Sequence, residues 1–210
     1  MSGYVLTHGG DDAGRRRLAM LGAFHGPMTI RGLQASGVRP GGRCLEVGAG
    51  SGAMTAWLAE RVGPDGRVLA IDIDTEWLEP LRSETVKVRR ADITTAELPA
   101  SSFDLVLARM LLLHLPDPIE TCRRFLAALA PGGQLIVQDA DFRPVALQDA
   151  TDAEADGLAA MNTTMRLAGV HLALGPELEA MLQALGAHML QVDCEPSAGR
   201  GGKPAALTQR

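Results

Sequence analysis

Three glycines at alternate positions, Gly48, Gly50 and Gly52, stand between an apolar run at 43–47 and an amphipathic run at 52–62. Side chains missing at that spacing permit a tight turn and let a ligand approach the backbone, while a helix opening there presents amides that favour an anion. Acidic residues follow the next two apolar runs, Asp72 closing 67–72 and Asp92 coming just after 86–90. A carboxylate at a strand end can accept hydrogen bonds from ribose hydroxyls. Glu46 precedes the first glycine, and Arg109 and His114 fall in and after the apolar run that begins at 103. An arginine there could anchor a carboxylate, and an imidazole with a near-neutral pKa could take a proton from an acceptor hydroxyl. Each residue also has a plainer reading: an ordinary turn, surface acids, a packing histidine, an arginine paired with an acid. The glycines and the two aspartates together outweigh it; for His114 and Arg109 both readings stand.

The elements that must position these residues follow from period and punctuation. A helix is expected over 12–24, where Leu18, Leu21 and Phe24 recur at helical spacing, stopped by His25, Gly26 and Pro27; a second covers 29–35. The turn cluster at 37–42 opens the main unit. Strand 43–47, helix 52–62, strand 67–72, helix 76–82 with Asp74 as its cap, strands 86–90 and 103–108, helix 118–129 and strand 134–139 then alternate. After 150 the pattern is helical, broken at Gly175 and Pro176, and strand-like residues at 188–195 precede a glycine-rich turn and a short 205–209 run. The expected fold class is α/β: a doubly wound, mostly parallel, Rossmann-like sheet with helices on both faces and a C-terminal antiparallel hairpin at its edge. Residues 1–40 form an N-terminal helical segment that could cover the site, and 41–210 form the ligand-binding domain. The site should lie at the carboxyl ends of the first and fourth strands.

Composition removes several classes of function. The chain has 210 residues, 46% hydrophobic and 21% charged, enough for one sizeable core. Aromatic residues make up 3%, too few for extended stacking on single-stranded nucleic acid, and the formal net charge of −5 with scattered basic residues gives no stripe for phosphates. No DNA partner is expected. The apolar stretch at 105–115 is interrupted by Arg109 and His114 and falls short of the roughly 18 residues of a membrane span, and the opening MSGYVLTHGGDD lacks secretory features. A cytoplasmic location is expected. Cys44, Cys122 and Cys194 lack disulfide or zinc spacing and read as small buried hydrophobes, and His8, His25, His171 and His188 lack ligand spacing, so no metal is assigned.

Two ligands suit the glycine loop. The nicotinamide fingerprint is formally met by Gly48, Gly50 and Ala53, with Asp72 about twenty residues beyond. The loop also reads GxGxG, with Glu46 before it and Asp92 after the third strand. Taken with EVGAGSG, AIDID, the AD after strand three, FDLVLARMLLLHLPDP and LAPGG, the chain resembles class I S-adenosylmethionine-dependent methyltransferases over roughly 37–139. Its opening YVLTHGGDDAGRRRLAML, with LLLHLPDP and QDADF, resembles bacterial small-molecule methyltransferases.

The resemblance implies that Gly48, Ala49 and Gly50 run along the methionyl part of the cofactor, with Gly52 closing the loop. It implies that Glu46 organises the loop and helps hold the ammonium group. Asp72 would bind the ribose, Ile73 and Ile93 would cover the two faces of the adenine, and Asp92 would accept from its amino group. Ala108 and Arg109 would border the cofactor. His114 and Tyr4 are the expected catalytic residues, the first as a general base and the second as a lid. The expected function is methyl transfer from S-adenosylmethionine to a small-molecule acceptor by in-line displacement, leaving S-adenosylhomocysteine. A nicotinamide-dependent oxidoreductase and a non-catalytic S-adenosylmethionine-binding protein are the alternatives, and a homo-oligomer is left open. A short end to the chain, with little beyond 205–210 for a seventh strand, leaves the enclosure of the acceptor pocket in question.

Overall fold

Strands apolar at almost every position belong inside a sheet covered on both faces. In the computed structural model, which describes residues 12–143, 151–188, 191–195, 199–200 and 203–204, such strands form the centre. β1 (Arg43–Val47), β2 (Arg67–Asp72), β3 (Val86–Arg90), β4 (Phe103–Arg109) and β5 (Leu129–Gln138) make one sheet in the order β3-β2-β1-β4-β5, with every pairing parallel. Successive side chains of β4 face opposite ways. Val106 and Ala108 join a cluster with Phe125 and Cys122 of α3 (Pro118–Ala128) and Leu174 of α5 (Leu174–Ala184). Leu105 and Leu107 join the opposite cluster with Leu58 and Val62 of α2 (Ala53–Val62) and Leu33 of α1 (Asp12–Ala35). The sheet is therefore sandwiched between helices, as its residue pattern requires. α4 (Asp152–Leu167), closed at its start by a Thr151–Glu154 capping box, lies between β5 and α5 in the chain.

Chain order reverses between β1 and β4. Val47 lies beside Ala108, β2 and β3 continue to one side of that pair, and β5 lies on the other. Loops leaving the carboxyl ends of β1 and β4 must then turn apart, which opens a crevice at that point.

Several expected elements differ. The helices expected over 12–24 and 29–35 are one helix, α1, with Pro27 inside it. A proline removes one helical hydrogen bond, but buried Thr29 anchors this stretch: its hydroxyl bonds the Gln138 side chain of β5 and reaches the His25 carbonyl at 3.1 Å. The helix expected over 76–82 shrinks to a single 3-10 turn, Glu79–Leu81, because Pro80 cannot donate; Asp74 caps a turn by accepting from the Glu76 amide at 3.1 Å. β5 starts at Leu129 and runs through the expected turn at 131–133, and a register shift against β4 between Phe103 and Leu105 absorbs the irregularity. The helical break falls at 168–173, and Gly175 and Pro176 sit in the first turn of α5, where a missing N–H is tolerated.

The expected hairpin at the sheet edge is corrected. Residues 191–195 are all exposed and carry no strand, since nothing offers their apolar members a face to bury. β6 (Gly199–Arg200) and β7 (Lys203–Pro204) pair only with each other, as a ladder separate from the five-stranded sheet, and 205–209 lie outside the described residues. Cys44 and Cys122 are buried as expected, whereas Cys194 is exposed. No helix among the described residues is long and apolar enough to cross a membrane.

Gly52 caps α2 at φ +77°, where a Cβ would lie 2.4 Å from Leu81 Cδ1 and 3.0 Å from Leu78 Cδ2. Gly41 has a similar φ of +79° with nothing within 4 Å of that position. Gly52→Ala is expected to lower unfolding free energy by about 2–4 kcal/mol, from left-handed strain plus crowding, and Gly41→Ala by about 1–2 kcal/mol from strain alone. Urea denaturation of the two variants measures the difference.

Candidate active site

The glycine loop is fastened to the neighbouring strand. The amides of Gly48 and Ala49 donate to the Ile71 carbonyl at 2.8 and 3.3 Å, and the Gly50 amide donates to Asp72 Oδ2 at 2.7 Å. Asp72 Oδ1 accepts from the Asp74 amide at 3.0 Å. Gly48 and Gly50 hold positive φ, 72° and 55°, as so tight a return demands. Three consecutive amides of the loop thus face β2, ahead of the α2 N-terminus at Ala53. An ionised carboxylate has about four acceptor sites, so Asp72 keeps capacity for a ligand's hydroxyls.

Glu46 acts beneath the loop. Its carboxylate accepts from the Thr55 hydroxyl of α2, so it ties the strand before the glycines to the helix after them. Burial pushes its pKa up to about 7, with the Thr55 hydrogen bond and the charge of Arg109 pulling the other way. Glu46 does not line the cavity described below; its bond to Thr55 joins the two sides of the loop. Thr55 was not singled out from sequence, although one helical turn beyond the glycines is where a partner for a buried Glu46 would sit.

Arg109 leaves the end of β4. Burial lowers its pKa and nearby Glu46 raises it, and its Nη1 is buried with no hydrogen-bond partner among the described residues. A desolvated guanidinium donor left unsatisfied is costly, and an anion in the cavity that Arg109 lines would relieve that cost. Met110 follows at φ 50°, unusual outside glycine, its amide donating to the Gln138 carbonyl at 2.7 Å. Asp139, just past β5, then fixes the segment: Oδ2 accepts from the Leu112 amide at 3.1 Å, and the amides of Leu113 and Leu111 also favour its charge. Burial dominates and pushes Asp139 up to about 8. Asp139 was missed from sequence because only the fold brings it to residues 111–113. His114 ends this 3-10 turn, and its pKa is pushed down to about 4, first by burial and then by Arg17. The expectation of a near-neutral imidazole is corrected.

A cavity of about 510 Å³ opens over these elements, within the range of small-molecule sites. Gly48, Ala49, Gly50, Asp72, Ile73, Asp92 and Ile93 line it. Arg109 and His114 line it at the β4 exit. Glu46, Gly52 and Ala108 lie outside the lining, Ala108 in the core and Gly52 against Leu78 and Leu81. Tyr4 lies outside the described residues. Phe142, Met161 and Met165 of the lining were not read from sequence; with Leu18 and Leu21 of α1, from the segment expected to cover the site, they make part of the wall apolar, Leu18 lying 3.8 Å from where a Cβ on Gly50 would stand, and Arg17 also lines the cavity. Helical periodicity marks these residues as apolar faces without saying what they face.

Residues 45–137 match a family described as a methyltransferase domain. Over 119 residues the chain is 37% identical to nocamycin O-methyltransferase of Saccharothrix syringae, covering 53% of this chain and 42% of that protein. It is 33% identical over 127 residues to aklanonic acid methyltransferase DauC of Streptomyces sp. (strain C5), covering 57% and 58%. The chain thus spans about two-fifths to three-fifths of these relatives' lengths. A solved S-adenosylmethionine-dependent methyltransferase from Aquifex aeolicus shares the fold, with TM-score 0.59 at 20% identity over 84% of this chain and 88% of that one.

The domain's buried acids make stability depend on pH. Asp139 has its folded pKa raised from 3.8 to about 8, and Glu46 from 4.5 to about 7. Between each pair of values the folded state binds more protons than the unfolded chain, so stability falls as pH rises through about 4 to 8. Asp139→Asn keeps an acceptor for the turn without a charge. It is expected to melt higher than the wild type at pH 8 and close to it at pH 5; thermal melts across that range measure the gap.

Proposed function

We propose that the chain transfers a methyl group from S-adenosylmethionine to a small, largely apolar acceptor. The observation that carries this reading is one cavity lined both by polar groups, the glycine loop with Asp72, Asp92, Arg109, His114 and Arg17, and by apolar Leu18, Leu21, Phe142, Met161 and Met165. Arg109 suits the cofactor's methionyl carboxylate, because its buried Nη1 needs an anionic acceptor. Gly48 and Gly50 leave room for the methionyl chain. Asp72 takes the ribose hydroxyls, and Ile73 and Ile93 cover the adenine. Asp92, whose Thr94 bonds both fall on Oδ1, takes the amino group. The amides turned toward β2 suit a ligand without a pyrophosphate and disfavour a dinucleotide.

S-adenosylmethionine, when bound, supplies an electrophilic methyl group on a sulfonium. The residues of the chain hold and align: α1 and α4 close the acceptor end and exclude water, and rate comes mainly from proximity. His114, neutral at physiological pH, can accept a proton from an acidic acceptor hydroxyl; its low pKa makes it a weak base, so its work is chiefly orientation. Segment 1–40 serves as the cover and 41–210 as the catalytic unit. The relatives named for nocamycin and aklanonic acid support a small organic acceptor, the net charge of −5 disfavours DNA, and the cytoplasm is the proposed compartment.

Calorimetric titration with S-adenosylmethionine, S-adenosylhomocysteine and nicotinamide dinucleotides tests this reading. The first two are expected to bind and the dinucleotides not to. Asp72→Ala is expected to weaken S-adenosylhomocysteine binding by about tenfold or more, and also to lower the melting temperature because the Gly50 and Asp74 amides lose their acceptor. Binding of a dinucleotide alone contradicts the proposal.

A further inference from the structure

The turn after β3 carries Asp92 and Ile93 into the cavity. Its start is tied to β2, where the Ala91 amide donates to the Asp72 carbonyl at 2.9 Å, and the bonds beyond that point are local. Asp92 Oδ1 accepts from the Thr94 amide at 2.9 Å and the Thr94 hydroxyl at 2.6 Å. The Asp92 carbonyl accepts from the Thr95 and Ala96 amides at 3.2 and 2.8 Å. These bonds set the turn's shape and its start but leave its far side, residues 93–96, unattached to the helix beside it.

Arg124 makes that attachment. Its Nη1 donates to the Ile93 carbonyl at 2.6 Å and the Thr94 carbonyl at 3.2 Å, and its Nη2 donates to the Ala96 carbonyl. One planar guanidinium therefore grips three carbonyls of a four-residue turn, a geometry its rigid fork of donors allows. The grip comes from a fixed base. α3 is capped by Asp117, whose side chain accepts from the Glu120 amide at 2.8 Å, and Cys122 and Phe125, on either side of Arg124 in sequence, are wholly buried against the sheet. Neighbouring Arg123 only pairs with Glu120 on the surface.

We propose that Arg124 is a positioning residue for cofactor selectivity: its grip on the Ile93, Thr94 and Ala96 carbonyls sets Asp92 at the distance from which its carboxylate reads the adenine amino group. The inference rests on the assignment of Asp92 and Ile93 to the adenine made above. Hydrogen bonding to that amino group depends steeply on distance and angle, whereas apolar cover by Ile93 does not. A loosened turn therefore loses discrimination between bases before it loses affinity in general. Lysine keeps the charge but cannot hold three carbonyls in one plane.

The test titrates S-adenosylhomocysteine and S-inosylhomocysteine, in which a carbonyl oxygen replaces the amino group, into the wild type, Arg124→Lys, Arg124→Ala and Asp92→Ala. The wild type is expected to prefer the adenosyl compound by roughly tenfold or more, and each variant to bring the ratio within about threefold, mainly by weakening the adenosyl compound. If Arg124→Ala does not fold, Arg124→Lys carries the test. A wild-type ratio retained in Arg124→Lys while Asp92→Ala loses it overturns the positioning role and leaves the adenine assignment intact. Equal fall of both affinities in Arg124→Lys, with the ratio unchanged, likewise assigns Arg124 to structure alone. No preference in the wild type, with Asp92→Ala binding as the wild type does, removes the adenine assignment and the proposal together.

Discussion

The guanidinium of Arg109 is held at the end of β4, largely out of water, and the rest of the site is arranged around that charge. Its nearest acid, Glu46, is itself so buried that its pKa rises to about 7, which leaves only a partial counter-charge near neutrality. His25, packed close by, is pushed toward its neutral form by burial and by Arg109. A cation in such a place is stabilised fully only when an anion joins it. That one unmet requirement, at the floor of a cavity bordered by a glycine loop, selects a ligand with a carboxylate or similar group at one end.

The sheet makes the requirement useful. Reversal of strand order between β1 and β4 puts Arg109 across the crevice from the glycine loop, and the Gly50 bond to Asp72 locks the β1 and β2 ends into one surface. Asp139 does for the β4 exit what Asp72 does for the glycine loop: each carboxylate at a strand end gathers backbone amides of a neighbouring loop. The helices α1 and α4 add apolar wall, so one continuous cavity offers both polar and apolar surface, as the proposed cofactor and acceptor require.

Sequence revealed the parts of this arrangement that are local. β1, β2 and β3 begin and end where the apolar runs do, because a buried parallel strand must be apolar throughout and its ends are punctuated by charge or glycine. Gly48, Gly50, Asp72 and Asp92 were legible because their types are dictated by backbone geometry or hydrogen bonding at strand ends. What escaped depends on contacts distant in sequence. Pro27 looked like a helix terminator until Thr29 met Gln138, 109 residues away. Asp139, Thr55 and Arg124 carry no local signature, since an aspartate after a strand, a threonine in a helix and an arginine on a helix are commonplace until the fold gives them amides, a carboxylate or carbonyls to hold. His114 was found, but its pKa was not, because burial and the approach of Arg17 are properties of the folded chain.

The most direct measurement compares S-adenosylhomocysteine with its decarboxylated analogue, which keeps the adenosine, the sulfur and the amine and lacks only the carboxylate. If Arg109 is completed by that group, the analogue binds the wild type about tenfold to a hundredfold more weakly, and an Arg109→Met variant binds the two compounds alike. Equal binding of both compounds to the wild type would contradict the account, since the buried charge at the end of β4 would then have no part in holding the cofactor.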